Sequence, residues 1–407
     1  MRLIAAALGV TLLAGCGSTL PSIGSQAESG FAPRAIAGET LVRLKPGTSP
    51  QAYARRHGLQ LVQKIGLNIY LFKGQSPVDA LEADSSALWA EPNMAFRLPP
   101  LKTAPAPTGV RSKSDEVFND PLIPAQYGIQ ITGIDKAWTV QTGSPQVVVA
   151  VIDSGIDGTH PEFQGRLVPG YDFSEKEHKP GGTDDGYGHG THVAGVIGAA
   201  AGNGTGIAGV APGCKLMPLK IFNKFGHSTT GGSVAAVIYA VENGAKVINA
   251  SWGSTLPGQA SHDAYQYALD KDVVFVAAVG NSGKNDSKSY PGASPGVIGV
   301  SATNPSDRWA SFSTWGDWVS LAAPGEGILS TYPMDKGNGY RIMQGTSMAA
   351  PLVAGAAALV RSQFPQLTQA QVKERLEKTA KDVIQPGIDP YSGHGRVDVA
   401  RVILDPL

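Results

Sequence analysis

The stretch Gln146-Val147-Val148-Val149-Ala150-Val151-Ile152 is almost wholly apolar and β-branched. A strand with one wet face would alternate polar and apolar residues; a continuous run has to be covered on both faces. Comparable runs recur at Lys215 to Phe222, Lys246 to Ala250, Val273 to Ala278 and Val297 to Val300, with helix-like segments at Ser233 to Glu242 and Ala260 to Leu269. Strands alternating with helices specify a parallel sheet with helices on both faces. Open sheets of this kind carry their sites at the carboxyl ends of the strands, and the first run ends there in a carboxylate, Asp153.

Two further stretches carry complementary chemistry. Gly188-His189-Gly190-Thr191-His192-Val193-Ala194-Gly195 is a Gly-rich entry into a helix of small residues. Gly345-Thr346-Ser347-Met348-Ala349-Ala350-Pro351 presents the Ser347 hydroxyl ahead of an Ala- and Val-rich buried helix. An isolated Gly-Thr-Ser would read as an ordinary N-cap. Set beside Asp153 and His189, Ser347 instead completes an acid, an imidazole and a hydroxyl, in which the carboxylate holds the imidazole that takes the serine proton.

The three blocks, in the order acid, histidine, serine, resemble the subtilisin-like serine proteases and look most like their thermitase-type members. The resemblance runs from about Asn119 to Val402. It implies an α/β, three-layer subtilisin-like fold with a central, mostly parallel sheet, preceded by a small α+β propeptide domain. It makes Ser347 the nucleophile, His189 the general base and acid, and Asp153 the group that fixes the imidazole; His192 is structural. Asn281, after the strand Val273 to Ala278, matches the family's oxyanion donor, alongside the backbone N–H of Ser347. Substrate is expected to add as a strand between Phe225-Gly226-His227-Ser228 and Ser251-Trp252-Gly253, which places Gly226, His227, Ser251, Trp252 and Gly253 at the substrate. Trp252 departs from the commoner Leu and should narrow or reshape the apolar subsite. It could also be a plain core tryptophan.

The resemblance also implies structural calcium (Ca2+). Gly202 to Ile207 is similar to the family's calcium loop, and the expected ligands are Asp120, Glu162, Ala200, Asn203, Thr205 and Ile207, oxygen donors that suit a hard cation. Glu162 replaces the usual Asp. A second, thermitase-type site is altered, with Asp172 retained, Glu175 and Glu177 in place of aspartates, and Lys179 intruding; it is expected to be weak or absent.

At 407 residues the chain exceeds a typical single domain. Residues 1–16 combine a basic start, an apolar run too short to span a membrane, and Leu13-Ala14-Gly15-Cys16, which resembles a bacterial lipoprotein box. Export from a bacterial cell follows, with the product secreted or anchored through a lipid on Cys16. Residues 17–37 are expected to be a tether, 38–99 a propeptide that inhibits its own enzyme, 100–118 an exposed linker holding the maturation site, and 119–407 the catalytic domain. Lys+Arg and Asp+Glu are equal at 33 each, so no basic excess points to nucleic acid. Cys16 and Cys214 give no disulfide framework. The reading is therefore a monomeric endopeptidase acting on protein or peptide substrates. A catalytically silent relative that captures peptides on the same sheet edge is the alternative.

Overall fold

A computed structural model describes residues 33–110, 117–175, 178–256, 258–285 and 288–406. The expected export signal with Cys16, most of the tether, part of the linker and Glu177 lie outside the described residues.

The five apolar runs form the middle of one sheet, which has eight strands among the described residues. Their order is Leu321–Pro324, Ile298–Thr303, Val274–Ala278, Val247–Ala250, Val148–Asp153, Lys215–Lys220, Tyr171–Asp172 and Lys179–Pro180. All neighbours are parallel except the final pair. Val149, Ala150, Val151 and Ile152 are all within 1% of full burial, which is why that stretch carries no alternation. Its odd and even members face different cores. Val149 and Val151 pack beneath the helices His189–Gly198 and Thr346–Gln363; Ala150 and Ile152 pack beneath Thr230–Glu242 and Gln259–Asp270. Each fully buried Val or Ile side chain contributes about 1.5–3 kcal/mol. The result is three layers, helix, sheet, helix.

The N-terminal region forms a second, antiparallel sheet from Arg34–Leu44, Gln60–Gly66, Ile69–Lys73 and Ala87–Arg97. One face has its own small core, around Val42, Leu44, Tyr53, Phe72 and Leu81, beneath the helices Pro50–Arg56 and Val78–Glu82. The other contributes Leu41, Ile65, Ile69 and Trp89 to the core shared with the helices of the large sheet. Glu91 accepts hydrogen bonds from the N–H groups of Gln259 and Ala260, at 2.6 and 3.0 Å, and so caps the start of the 259–270 helix across the boundary.

Two expectations are corrected. The first strand starts at Arg34, inside the stretch assigned to the tether, because Arg34 and Ala35 pair with Ala95 and Met94. The linker is not loose along its length: Ala104 and Pro105 pair with Ile342 and Arg341. Its prolines lack an N–H but keep an extended backbone, which suits a strand held at one edge.

Candidate active site

Asp153 closes the Val148–Asp153 strand and is fully buried. The Ser154 N–H donates to its Oδ1 at 2.7 Å. His189 opens the helix His189–Gly198 against it. That approach depends on Gly190, where a β-carbon would lie 2.2 Å from the Gly155 carbonyl oxygen. His189 Nδ1 lies 2.8 Å from Asp153 Oδ1 and 3.0 Å from Oδ2, so Nδ1–H donates to the carboxylate and Nε2 is left as the nitrogen with a free lone pair. Burial lowers the imidazole pKa, but the charge and hydrogen bond of Asp153, with the charge of Asp185, outweigh it and raise the pKa above the usual value.

Ser347 lies in the first turn of the helix Thr346–Gln363. Its hydroxyl donates to the Ser251 carbonyl at 2.9 Å, and the Ser251 hydroxyl donates back to the Ser347 carbonyl at 2.8 Å. Asn249 Nδ2 donates to Ser251 Oγ at 3.0 Å, tying the pair to the central sheet. Asn281 follows the Val274–Ala278 strand, and its Oδ1 accepts from the Thr346 N–H at 2.9 Å and hydroxyl at 3.0 Å. With its oxygen used there, the amide offers Nδ2 as a donor. Gly345, at φ +149°, keeps this corner open: a β-carbon would meet Asn281 Nδ2 at 3.3 Å.

His189, Ser347, Asn281, Ser251 and Trp252 line one cleft of 270 Å³. The protein's own chain runs through it. Phe96 and Arg97 lie opposite Ser228 and His227 in antiparallel register, and the Leu98 N–H donates to the Gly226 carbonyl at 2.9 Å. Pro99, Pro100, Leu101 and Lys102 continue along the cleft. The Tyr187 hydroxyl donates to the Pro99 carbonyl at 2.5 Å. The strap is therefore held on both sides, by the His227–Thr229 strand before the cleft and by Tyr340–Met343 after it. Pro99 and Pro100 have no N–H to offer the Ser251 carbonyl, and the Ser347 hydroxyl occupies that acceptor.

Trp252 joins its two readings. It is 5% exposed, with Nε1–H donating to the Ile152 carbonyl at 2.8 Å as a core tryptophan would. Its ring also forms the wall on which Phe96 of the strap stacks, with centroids 5.7 Å apart and planes at 30°. Gly253 leaves the space beside it open, since a β-carbon there would meet Ser289 Oγ at 2.1 Å. His192 lies apart from this chemistry: its Nε2 bonds to the Ile328 and Arg341 carbonyls at 3.1 Å, and burial lowers its pKa to about 3. Cys214 is buried as a small core residue.

The expected cation loop brings Asp120, Glu162 and Asn203 together. Asp120 accepts from the N–H groups of Gly202 and Asn203 at 2.7 and 3.1 Å. Glu162 accepts from Asn203 Nδ2, the Ile207 N–H and the Tyr340 hydroxyl, at 3.0, 3.0 and 2.9 Å. Both carboxylates are fully buried, and every one of these partners is neutral. Burial, opposed by those hydrogen bonds and aided by the Asp120 charge, raises Glu162 from its ordinary 4.5 to about 7. The Ala200 N–H donates to the Glu162 carbonyl at 3.0 Å, and the Thr205 N–H donates to Asn203 Oδ1 at 2.8 Å. Among the described residues no three His, Cys, Asp or Glu side chains gather as a metal site, so a cation here would need the Asn and main-chain oxygens as well. At the second expected site, Asp172 Oδ1 accepts from the Ser174 N–H and hydroxyl, and Lys179 pairs with Asp172 through the backbone.

Sequence reasoning missed Asp185, Tyr187 and Thr346. Each lies within a few residues of a recognised block, yet its role depends on a partner distant in sequence: Ser154, Pro99 and Asn281 respectively.

Residues 144–395 match the Subtilase family. Fervidolysin from Fervidobacterium pennivorans is 37% identical over 318 residues, covering 71% of this chain and 45% of that protein. Thermitase from Thermoactinomyces vulgaris is 37% identical over 286 residues, covering 70% of this chain and 98% of that protein. The crystal structure of fervidolysin, described as a keratinolytic enzyme related to subtilisin, superposes with a TM-score of 0.79 at 30% identity, covering 94% of this chain and 63% of that one. The sequence match thus spans less than half of fervidolysin and nearly all of thermitase.

Proposed function

Because the chain belongs to the Subtilase family, we propose that it is a serine endopeptidase made as a self-inhibited, self-processing precursor that acts on protein or peptide substrates as a monomer. The observation that carries this reading is the cleft itself, where an aspartate–imidazole pair, a serine hydroxyl and an amide donor converge on a main chain lying in strand register. A substrate would take the place of the strap along His227–Thr229. His189 Nε2 would accept the Ser347 proton as Oγ attacks the carbonyl carbon, then return it to the leaving amine. Asn281 Nδ2 would donate to the developing oxyanion. Water would then release the acyl group by the same steps in reverse roles.

Residues 34–99 act in this proposal as the inhibitory propeptide, and maturation cuts after the strap, within residues 100–118. The proline pair supports a cut beyond it, because neither Pro99 nor Pro100 can make the main-chain donation that seats a substrate. Cys16 would carry a lipid before maturation, and cleavage would free the catalytic part from it. Among the described residues no helix is long and apolar enough to cross a membrane.

Calcium fits the Asp120 and Glu162 pair. Among the described residues these two buried carboxylates bond only to neutral partners, and oxygen donors of this kind suit a hard cation. Asp120, Glu162, the Asn203 amide oxygen and carbonyls of Ala200, Thr205 and Ile207 would hold it. The ion would supply charge neutralisation and hold the loop, without entering the reaction.

The test is active-site labelling. The secreted product of the full chain is treated with a fluorophosphonate and digested for mass mapping, beside Ser347→Ala. A label on the Ser347 peptide of the wild type alone is the expected result. A folded wild type that neither labels nor cleaves a denatured protein contradicts the proposal and favours a peptide-capturing role.

A further inference from the structure

Asp185 precedes the His189 helix, is 5% exposed, and has no part in the reaction as set out above. Its two oxygens accept five hydrogen bonds. Oδ1 takes the Ser154 hydroxyl at 2.8 Å and the N–H groups of Tyr187 and Gly188 at 3.0 and 2.7 Å. Oδ2 takes the N–H and the hydroxyl of Thr191 at 2.8 and 2.7 Å. Ser154 passes the connection on, since its Oγ accepts from the Gly190 N–H at 2.9 Å. One carboxylate is therefore bonded to the residue after Asp153 and to residues on both sides of His189. A helix cap needs only the Thr191 contacts; the link to Ser154 reaches the other half of the acid–imidazole pair.

We propose that Asp185 is a positioning residue for proton transfer: it locks the loop carrying Asp153 and the first turn carrying His189 into one rigid unit and sets a second negative charge behind the imidazole. The inference rests on the endopeptidase reading. Hydrogen bonds to a carboxylate are about twice as strong as neutral ones, so five of them on one side chain tie the two segments firmly. Asp153 and Asp185 raise the His189 pKa, and the neighbouring His192 stays neutral. Tyr187 and Tyr332 also remain uncharged, their hydroxyls pushed up by burial first and by carboxylate charge second. Lys220 and Lys336 bind the carbonyls of Asp184 and Gly186 on the exposed side of the same loop, and Lys224 packs against Gly186. Arg97 of the strap acts on Tyr187 and leaves with the strap.

Asp185→Asn keeps the size, removes the charge and turns an NH2 toward donors. On the matured enzyme the expected result is a fall in kcat of about 10- to 100-fold with KM within about twofold, and an acid limb of kcat/KM moved down by about half a pH unit. Ser154→Ala, which cuts the link but keeps the charge, should lower kcat by about tenfold or less and leave the limb in place. A folded Asp185→Asn enzyme whose acid limb coincides with the wild type overturns the inference. If Asp185→Asn does not mature, the His189 imidazole is titrated by NMR in the full-length Ser347→Ala chain, with and without Asp185→Asn. A lower titration midpoint without the carboxylate supports the inference, and an equal midpoint overturns it. If Asp185→Asn does not fold, Ser154→Ala and Thr191→Val carry the test: a lower kcat at constant KM supports it, and an unchanged kcat in both refutes it. A wild type that hydrolyses nothing would instead remove the endopeptidase reading, while the NMR comparison would still report on the carboxylate.

Discussion

Asp153 and Glu162 are both fully buried, but they face different partners. Asp153 meets an imidazole, a group that can take up a positive charge, with a further buried carboxylate fixed close by. Glu162 meets an amide, a backbone N–H and a phenol, none of which can become a cation, and it lies near a second carboxylate, Asp120. In the first region the carboxylate has a partner that can balance its charge. In the second, the hydrogen-bond partners among the described residues do not balance the negative charge, and burial pushes the Glu162 pKa up to about 7. The comparison teaches that burial alone does not identify a catalytic carboxylate; the partner's ability to hold charge does.

The contrast can be broken at either end. The largest effect is expected from Asp153→Asn, which retains the shape but fixes the wrong imidazole tautomer; kcat should fall about 10⁴-fold, as for such changes in other serine proteases, measured with a fluorogenic peptide. Asn281→Ala should lower kcat by about 100- to 1,000-fold, the range known for oxyanion donors in this family, with KM little changed. The raised pKa of His189 also predicts that the acid limb of kcat/KM lies above pH 6.5 in the wild type.

Glu162 tests the other region. Its folded-state pKa exceeds the unfolded one, so between about 4.5 and 7 the folded chain holds a proton that the unfolded chain has released. Stability in a chelator should therefore decline as pH rises through that window, by about 3 kcal/mol in all. Calcium should restore it at pH 8, and Glu162→Gln should abolish both the slope and most of the calcium response in thermal melts. The smallest effect is expected at Trp252→Leu, which removes the aromatic wall beneath Phe96. Inhibition by the separate propeptide should weaken by about 1 kcal/mol, or roughly fivefold in Ki.

Much of this arrangement is legible in the sequence. The buried strands announce themselves by the absence of alternation, and Asp153, His189 and Ser347 each sit in a contiguous block whose small residues exist to permit close approach. Asp185 is not legible in this way, because its meaning lies in Ser154 and Thr191, brought together only by folding. The linker misleads for a different reason. Pro99, Pro100 and Pro105 have the composition of an exposed hinge, but a cleft and a strand edge can hold an extended chain whose N–H groups are missing. Gly38, at φ +72°, likewise reads as a boundary, while the strand resumes on its N-terminal side at Arg34–Ala35.

The most direct test of the central claim follows the intact mass of the full chain, lacking only residues 1–16, over time with calcium, for wild type beside Ser347→Ala. Loss from the wild type alone of an N-terminal piece ending within residues 100–118 is predicted, with the variant remaining whole. Identical masses for both, with both chains folded, would contradict the assignment of Ser347 as a nucleophile acting on its own precursor.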